Sequence, residues 1–274
     1  MKRRSNTRRK RQRRQFRRRL IQFDLHKAMF VLPNLFTTSS IFCGVYAIIH
    51  VSNFPTHQQL YQASLAVFFG AFFDMADGRI ARLTKTQSEF GVQLDSLADL
   101  VTFGIAPGII VYHWAFHSMG LLGVFISFTY VASSAIRLAR FNVLAAHSTE
   151  LSPHFIGLPT PLAAGTLISL VMYHQRTIQG PVVAHEGVVA LILILAYLMV
   201  SNVRYRNFKD LKKGKKPLII LSILTAILMV LAITYRPTFA ILSFFCGYLL
   251  MGLADELVHF SRQKLGGSTN EQES

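Results

Sequence analysis

Charged residues are scarce in this chain of 274 residues: 15% of positions, against roughly 25% in an ordinary soluble domain. Acidic residues are scarcer still. There are 13 Asp and Glu against 29 Lys and Arg, which leaves a formal net charge of +16. The only two cysteines, Cys43 and Cys246, lie inside apolar runs, so neither a disulfide scaffold nor a cysteine-based zinc site is available. The ten histidines are scattered and form no metal-ligand spacing. What fills the chain instead is apolar, 51% of residues with a mean hydropathy of +0.38. A soluble nucleic-acid binder accounts for the charge but not for that content, whereas a membrane protein accounts for both. No nucleic-acid partner is expected.

Twelve of the first nineteen residues are Lys or Arg. A stretch this basic buries no core. It reads as a topology signal held on the cytoplasmic side, with attraction to anionic membrane lipids worth about 1 kcal/mol per basic residue near the surface. A cleaved signal peptide is not expected, because the apolar run that follows is too long and has no small-residue cleavage site.

Beyond it come successive apolar blocks, each near the roughly 20 residues needed to cross about 30 Å of hydrocarbon. They fall at about 33–51, 61–81, 97–117, 121–143, 155–173, 187–202, 217–234 and 238–257. Segments spanning hydrocarbon must satisfy their own backbone hydrogen bonds, so the expected fold is all-α, a polytopic transmembrane bundle of about eight spans. With the N-terminus inside, the outer connections hold only Arg176 and Arg236, leaving 27 of 29 basic residues inward. That asymmetry predicts an even number of spans, with both termini cytoplasmic.

Four acids sit where such a chain tolerates them least. Asp74 and Asp77 end the second block; Asp95 and Asp99 begin the third. Spacings of three and four put each pair on one helix face, and a short loop returns the chain antiparallel. The four carboxylates are therefore expected to converge, and ionisable residues at membrane depth point to function. An all-oxygen set suits Mg²⁺ or Mn²⁺, and two such ions about 3.5–4 Å apart clamp a displacement at phosphorus. The alternative, in which Asp74 and Asp77 merely pair with Arg79 and Arg82, leaves Asp95 and Asp99 without a reason. Gly78 and Ala81 supply a small-residue face on which a nucleotide can lie, and Arg82 can fork two hydrogen bonds to a diphosphate.

The whole stretch reads Asp74-x2-Asp77-Gly78-x2-Ala81-Arg82-x8-Gly91-x3-Asp95-x3-Asp99. It resembles, at every position, the signature of the CDP-alcohol phosphatidyltransferase family, whose members displace CMP from a CDP-linked lipid with an alcohol. The resemblance implies that Asp74, Asp77, Asp95 and Asp99 hold two divalent cations, Mg²⁺ or Mn²⁺, and that Asp99 is also the general base. It further implies that Gly78, Ala81, Arg82 and Ser88 hold the CDP part of the lipid. Asn34, in the Pro33-Asn34 pair opening the first helix, would touch the nucleotide.

Within that family the chain is similar to the integral-membrane phosphatidylserine synthases over about 32–211. The likeness rests on PNLFT at 33–37, DSLADLVTFGIAPG at 95–108, SSAIRLARFN at 133–142, GLPTPLAAG at 157–165 and MVSNVRYRNFK at 199–209. It implies CDP-diacylglycerol and L-serine as substrates, a multi-pass enzyme of the cell (inner) membrane with its active site at the cytoplasmic face, and a homodimer. Arg137 and Arg140, three apart, are candidates for serine's carboxylate or a lipid phosphate, against snorkelling to the head groups. Pro159 and Pro161 are expected to disrupt helix regularity. The chain then divides into a basic cytoplasmic segment (1–31), a catalytic membrane domain (32–211), two further helices (212–257) and a cytoplasmic tail (258–274) expected to be disordered.

Rival readings remain at this level. Other acceptors, glycerol phosphate, inositol phosphate or inositol, would use the same signature. Membrane prenyltransferases also bind a diphosphate through Asp pairs, but their two motifs lie far apart in sequence, whereas here four aspartates fall within 26 residues. A cation transporter would need matching carboxylates deeper in the membrane. No His-x-Lys-x4-Asp element is present, which excludes the phospholipase-D-like serine synthases that work through a phosphohistidine.

Overall fold

The computed structural model describes residues 31–84, 88–147, 154–180, 185–201, 204–206 and 237–250, with single positions 227, 230 and 234. The basic N-terminal segment, most of the basic cluster at 204–216, most of the block at 217–234 and the tail lie outside the described residues.

Among the described residues seven continuous helices follow one another. Val31–Val51 (α1) is apolar, and its two faces differ in a way the sequence dictates. Thr37, Ser40, Gly44, Ala47 and Val51, spaced alternately by three and four, face inward, while Leu35, Phe42 and Ile49, seven apart, face outward. His57–Thr84 (α2) runs back, and a short connection leads to Glu89–Met119 (α3). Ser88 caps α3 by accepting from the Gly91 N–H at 3.0 Å. The helix α3 continues through two π-helical stretches, Leu100–Ile105 and Tyr112–Phe116, before a 3₁₀ turn ends it. Leu121–His147 (α4), Thr160–Thr177 (α5), His185–Val200 (α6) and Pro237–Leu250 (α7) complete the set.

Among the described residues the architecture is helical apart from turns, short connections and one short ribbon. There His154–Ile156 (β1) pairs antiparallel with Arg204–Arg206 (β2), with Phe155 opposite Tyr205. Among the described residues three helices are long and apolar enough to cross a membrane: α1, α3 and Leu121–Ala145 of α4. The apolar helices α6 and α7 are shorter. In α2 the early glutamines Gln58, Gln59 and Gln62 and the late Asp74 and Asp77 dilute the hydropathy.

One expectation needs correcting. The block at 155–173 does not begin as a helix: 154–156 is strand, and α5 starts at Thr160. The reason is local. Gly157 has φ +78°, and a Cβ there would lie 2.6 Å from the Met199 carbonyl oxygen, so only glycine lets this segment lie against the end of α6. The Leu158 N–H donates to the Leu198 carbonyl at 2.9 Å in the same contact. Pro159 then stands at the cap position and Pro161 in the first turn, where a missing N–H costs nothing. The prolines start α5 rather than disrupt it.

Packing joins α4 to α6 and α2 to α5, with α3 between them. Phe103, Ile110 and Phe116 of α3 are fully buried with Tyr130 of α4, Leu167 of α5 and Leu195 of α6. The Tyr130 hydroxyl donates to the Phe103 carbonyl (2.9 Å), a bond available because the π-helical stretch interrupts the regular ladder there. Large apolar side chains such as Phe42, Ile49, Phe125 and Phe128 point outward, as expected where the surroundings are hydrocarbon.

Candidate active site

Three helices meet just below the signature. A Cβ on Gly70 (α2) would come 2.6 Å from Thr102 Cγ2 (α3), and one on Gly44 (α1) would come 3.0 Å from Thr102 Cα. Thr102 Oγ1 donates to the Ser40 carbonyl (3.0 Å), tying α3 to α1. Gly70 lies one turn before Asp74, and Thr102 lies three residues after Asp99. This close contact therefore sets where the two acidic helix ends stand relative to each other.

Asp74, Asp95 and Asp99 converge, and one carboxylate oxygen from each lies within 4.8 Å of the others. Asp74 and Asp99 are in side-chain hydrogen-bonding contact, while Asp99 Oδ1 is buried without a partner. A buried acceptor left unpaired is costly, and three carboxylates this close repel unless cations or protons lie between them. An all-oxygen donor set with an unpaired oxygen fits a hard divalent cation.

Asp77 stands outside that group of three, although near enough to Asp74 and Asp95 to interact with their charge. It is 4% exposed, and its Oδ2 accepts from Thr37 Oγ1 at 2.6 Å. The Gly78 backbone N–H also bonds to it. Gly78 is open, since an added Cβ would meet only the tip of Arg82 at 3.9 Å. Arg82 folds back along its helix, its Nε donating to the Gly78 carbonyl (2.8 Å), and its exposed position leaves the guanidinium reachable from outside. Ala81 lies on the same helix, partly buried. Ser88 serves α3 as its cap, and Asn34 Oδ1 lies 3.7 Å from where a Gly91 Cβ would stand, which brings α1 to the same end of the site.

The two arginines of α4 separate. Arg137 is buried, close enough to Asp99 for their charges to interact, and donates through one terminal nitrogen to Thr160 Oγ1 (2.9 Å) while its Nε has no partner. A buried guanidinium does not snorkel. Arg140 instead donates to the Val200 carbonyl at the end of α6 (3.1 Å). Three further contacts escaped the sequence reading: Thr37 on Asp77, Thr160 on Arg137, and Asn142 Nδ2 donating to Ser96 Oγ at 2.9 Å beside Asp95. Each lies in a segment already singled out, but each joins residues tens of positions apart.

Helices with apolar flanks and a carboxylate knot shared by two of them mark a membrane protein with a site whose donors fit a divalent cation. The chain belongs to the CDP-alcohol phosphatidyltransferase family: the family's sequence profile matches residues 30–200. It is 37% identical over 227 residues to the CDP-diacylglycerol–serine O-phosphatidyltransferase of Helicobacter pylori, a match covering 82% of this chain and 90% of that one. The Bacillus subtilis protein of the same name is 33% identical over 181 residues, covering 66% of this chain and 93% of its own length. That of Methanocaldococcus jannaschii is 29% identical over 207 residues, 73% and 90% of the two chains.

Proposed function

We propose that the protein transfers the phosphatidyl group of CDP-diacylglycerol to the hydroxyl of L-serine, giving phosphatidylserine and CMP. The observation that carries this reading is the convergence of Asp74, Asp95 and Asp99, with an unpaired Asp99 oxygen, in a chain that matches the Helicobacter pylori protein named for that reaction over nine-tenths of that protein's length. Asp74, Asp77, Asp95 and Asp99 hold two divalent cations, Mg²⁺ or Mn²⁺. Bound there, such ions neutralise the diphosphate and stabilise CMP as leaving group.

The chain's own residues do the rest. Gly78 and Ala81 let the nucleotide lie against α2, Arg82 forks to the diphosphate, and Ser88 and Asn34 border the nucleotide. Asp99 accepts the proton of the serine hydroxyl as that oxygen bonds to the lipid-linked phosphorus and the bond from phosphorus to CMP breaks. Direct attack is favoured over a covalent intermediate, because the motif supplies no evident nucleophile. Arg137 meets the serine carboxylate, and Arg140 lies nearer the lipid head groups.

In this reading the chain crosses the inner membrane about eight times with both termini and the active site cytoplasmic. Residues 32–211 form the catalytic domain, and the enzyme works as a homodimer among anionic lipids. A cytoplasmic site suits both soluble partners, since serine arrives from the cytosol and CMP returns to it. The test is purified protein with CDP-diacylglycerol, labelled serine and Mg²⁺ or Mn²⁺, following CMP release and lipid product. Serine-dependent release supports the assignment. Release only with glycerol phosphate, inositol phosphate or inositol overturns the acceptor and spares the family.

A further inference from the structure

The four aspartates of the signature are not equivalent in their surroundings. Asp74, Asp95 and Asp99 face one another and leave an oxygen unpaired, whereas Asp77 is held by the backbone N–H of its neighbour Gly78 and, through its side chain, from outside the signature. Its holder is Thr37, 40 positions away on α1 and 4% exposed. The Thr37 hydroxyl has one proton to give. The Pro33 carbonyl at 3.2 Å competes for it, but the carboxylate at 2.6 Å is the closer and the charged acceptor.

The rest of α1 keeps that hydroxyl in place. Asn34, Thr37 and Ser40 recur every three residues on its inward face, and Ser40 is tied to Thr102 of α3. Gly44 brings the backbone of α1 against the same threonine, so α1 has little freedom to turn Thr37 away. Thr37 is also β-branched, which in a helix restricts its first side-chain torsion to two choices, and the one adopted puts its oxygen within reach of both the Pro33 carbonyl and Asp77.

We infer that Thr37 is a positioning residue that makes the metal site asymmetric: α1, through this hydroxyl, orients the Asp77 carboxylate directly for one of the two cation positions, while at the other, organised by Asp74, Asp95 and Asp99, α1 acts only through the helix packing at Thr102. The inference rests on the two-cation reading above and adds to it a division of labour between helices. Outer contacts that orient a ligating group typically affect metal affinity by 10–100-fold, and this one touches a single ligand.

The experiment is a Mn²⁺ titration followed by electron paramagnetic resonance, on the full chain in lipid nanodiscs without substrate. The unsubstituted protein is expected to take up two ions. Thr37→Val, which keeps the shape and removes the hydroxyl, is expected to weaken one binding event by about 10–100-fold and leave the other unchanged. Thr37→Ser, which restores the hydroxyl, is expected to restore the weakened event. If Thr37→Val is not recovered folded, Thr37→Ala is titrated in its place with the same expectations. Both events unmoved, or both weakened together, overturns the inference while the two-cation reading stands. An unsubstituted protein that binds no Mn²⁺ overturns that reading and the inference with it.

Discussion

Gly70→Ala adds one methyl group where α2 crosses α3, and the structure says what it meets. The new Cβ would stand 2.6 Å from Thr102 Cγ2, 3.4 Å from Cys43 Cβ and 3.6 Å from Ser40 Oγ. Only the first contact is impossible. Two ways of relieving it exist. The helices can part, a form of overpacking that costs about 1–3 kcal/mol. Alternatively Thr102 can turn about its first torsion, which pulls Oγ1 off the Ser40 carbonyl and strands a fully buried hydroxyl at about 1–3 kcal/mol. Alanine's better helix propensity returns about 0.5–1 kcal/mol. A net loss of about 1 kcal/mol would lower the thermal midpoint by about 2–4 °C for a chain of this size. Catalysis should suffer more than stability, because each helix carries two of the carboxylates within about two turns of the contact, and a misplacement near 1 Å can cost about 100-fold. The assay pairs thermal unfolding in detergent with CMP release. Thr102→Ser removes Cγ2 and keeps the hydroxyl, so the double substitution Gly70→Ala/Thr102→Ser should recover both properties. Gly247→Ala on α7, whose added Cβ would meet nothing within 4 Å, is the control and should leave both unchanged or slightly improved. If Gly70→Ala behaves like that control, or the double substitution is no better than the single one, the close contact does not set the carboxylate register.

Asp99→Asn should lower turnover by about 10²–10⁴-fold, the usual worth of a positioned base, in an assay of serine-dependent CMP release. Near-normal turnover would remove Asp99 from that role. Ser88→Ala should destabilise the start of α3 by about 1 kcal/mol through loss of its cap, with Ser88→Gly costing only a few tenths, as read by thermal unfolding. A rise in KM for CDP-diacylglycerol in the same variant would add the nucleotide contact to the capping role. Arg137→Gln should raise the KM for serine by about 10-fold or more, since a hydrogen bond to a charged group is worth about 1.5–3 kcal/mol. If steady-state kinetics show the KM for CDP-diacylglycerol rising instead, the guanidinium serves a lipid phosphate.

What was legible in the sequence is what short-range periodicity and run length encode. Apolar blocks announced α1 and α4 to within a few residues, and α3 except for its polar first two turns from Glu89, because hydrocarbon admits few alternatives to a helix of that length. Spacings of three and four brought Asp74, Asp95 and Asp99 together, since a helix face is a local property and one short connection folds the second helix against the first. The same periodicity could not see that Asp77 would stand apart, for that depends on Thr37 across 40 positions. Nor could it see the ribbon at 154–156, whose partner lies some fifty residues on and whose apolar flank reads equally well as helix. Arg137 illustrates the boundary best. Its three-residue spacing from Arg140 suggested a shared task, yet the bundle buries one beside Asp99 and turns the other to the end of α6. Helical phase could have hinted at this, because three residues are only five-sixths of a turn, but the partners, Thr160 and Val200, come from segments that meet only in the folded chain. The signature thus specifies the donors, while the helices outside it, α1 through Thr37 and α5 through Thr160, decide which donor atoms remain free for chemistry.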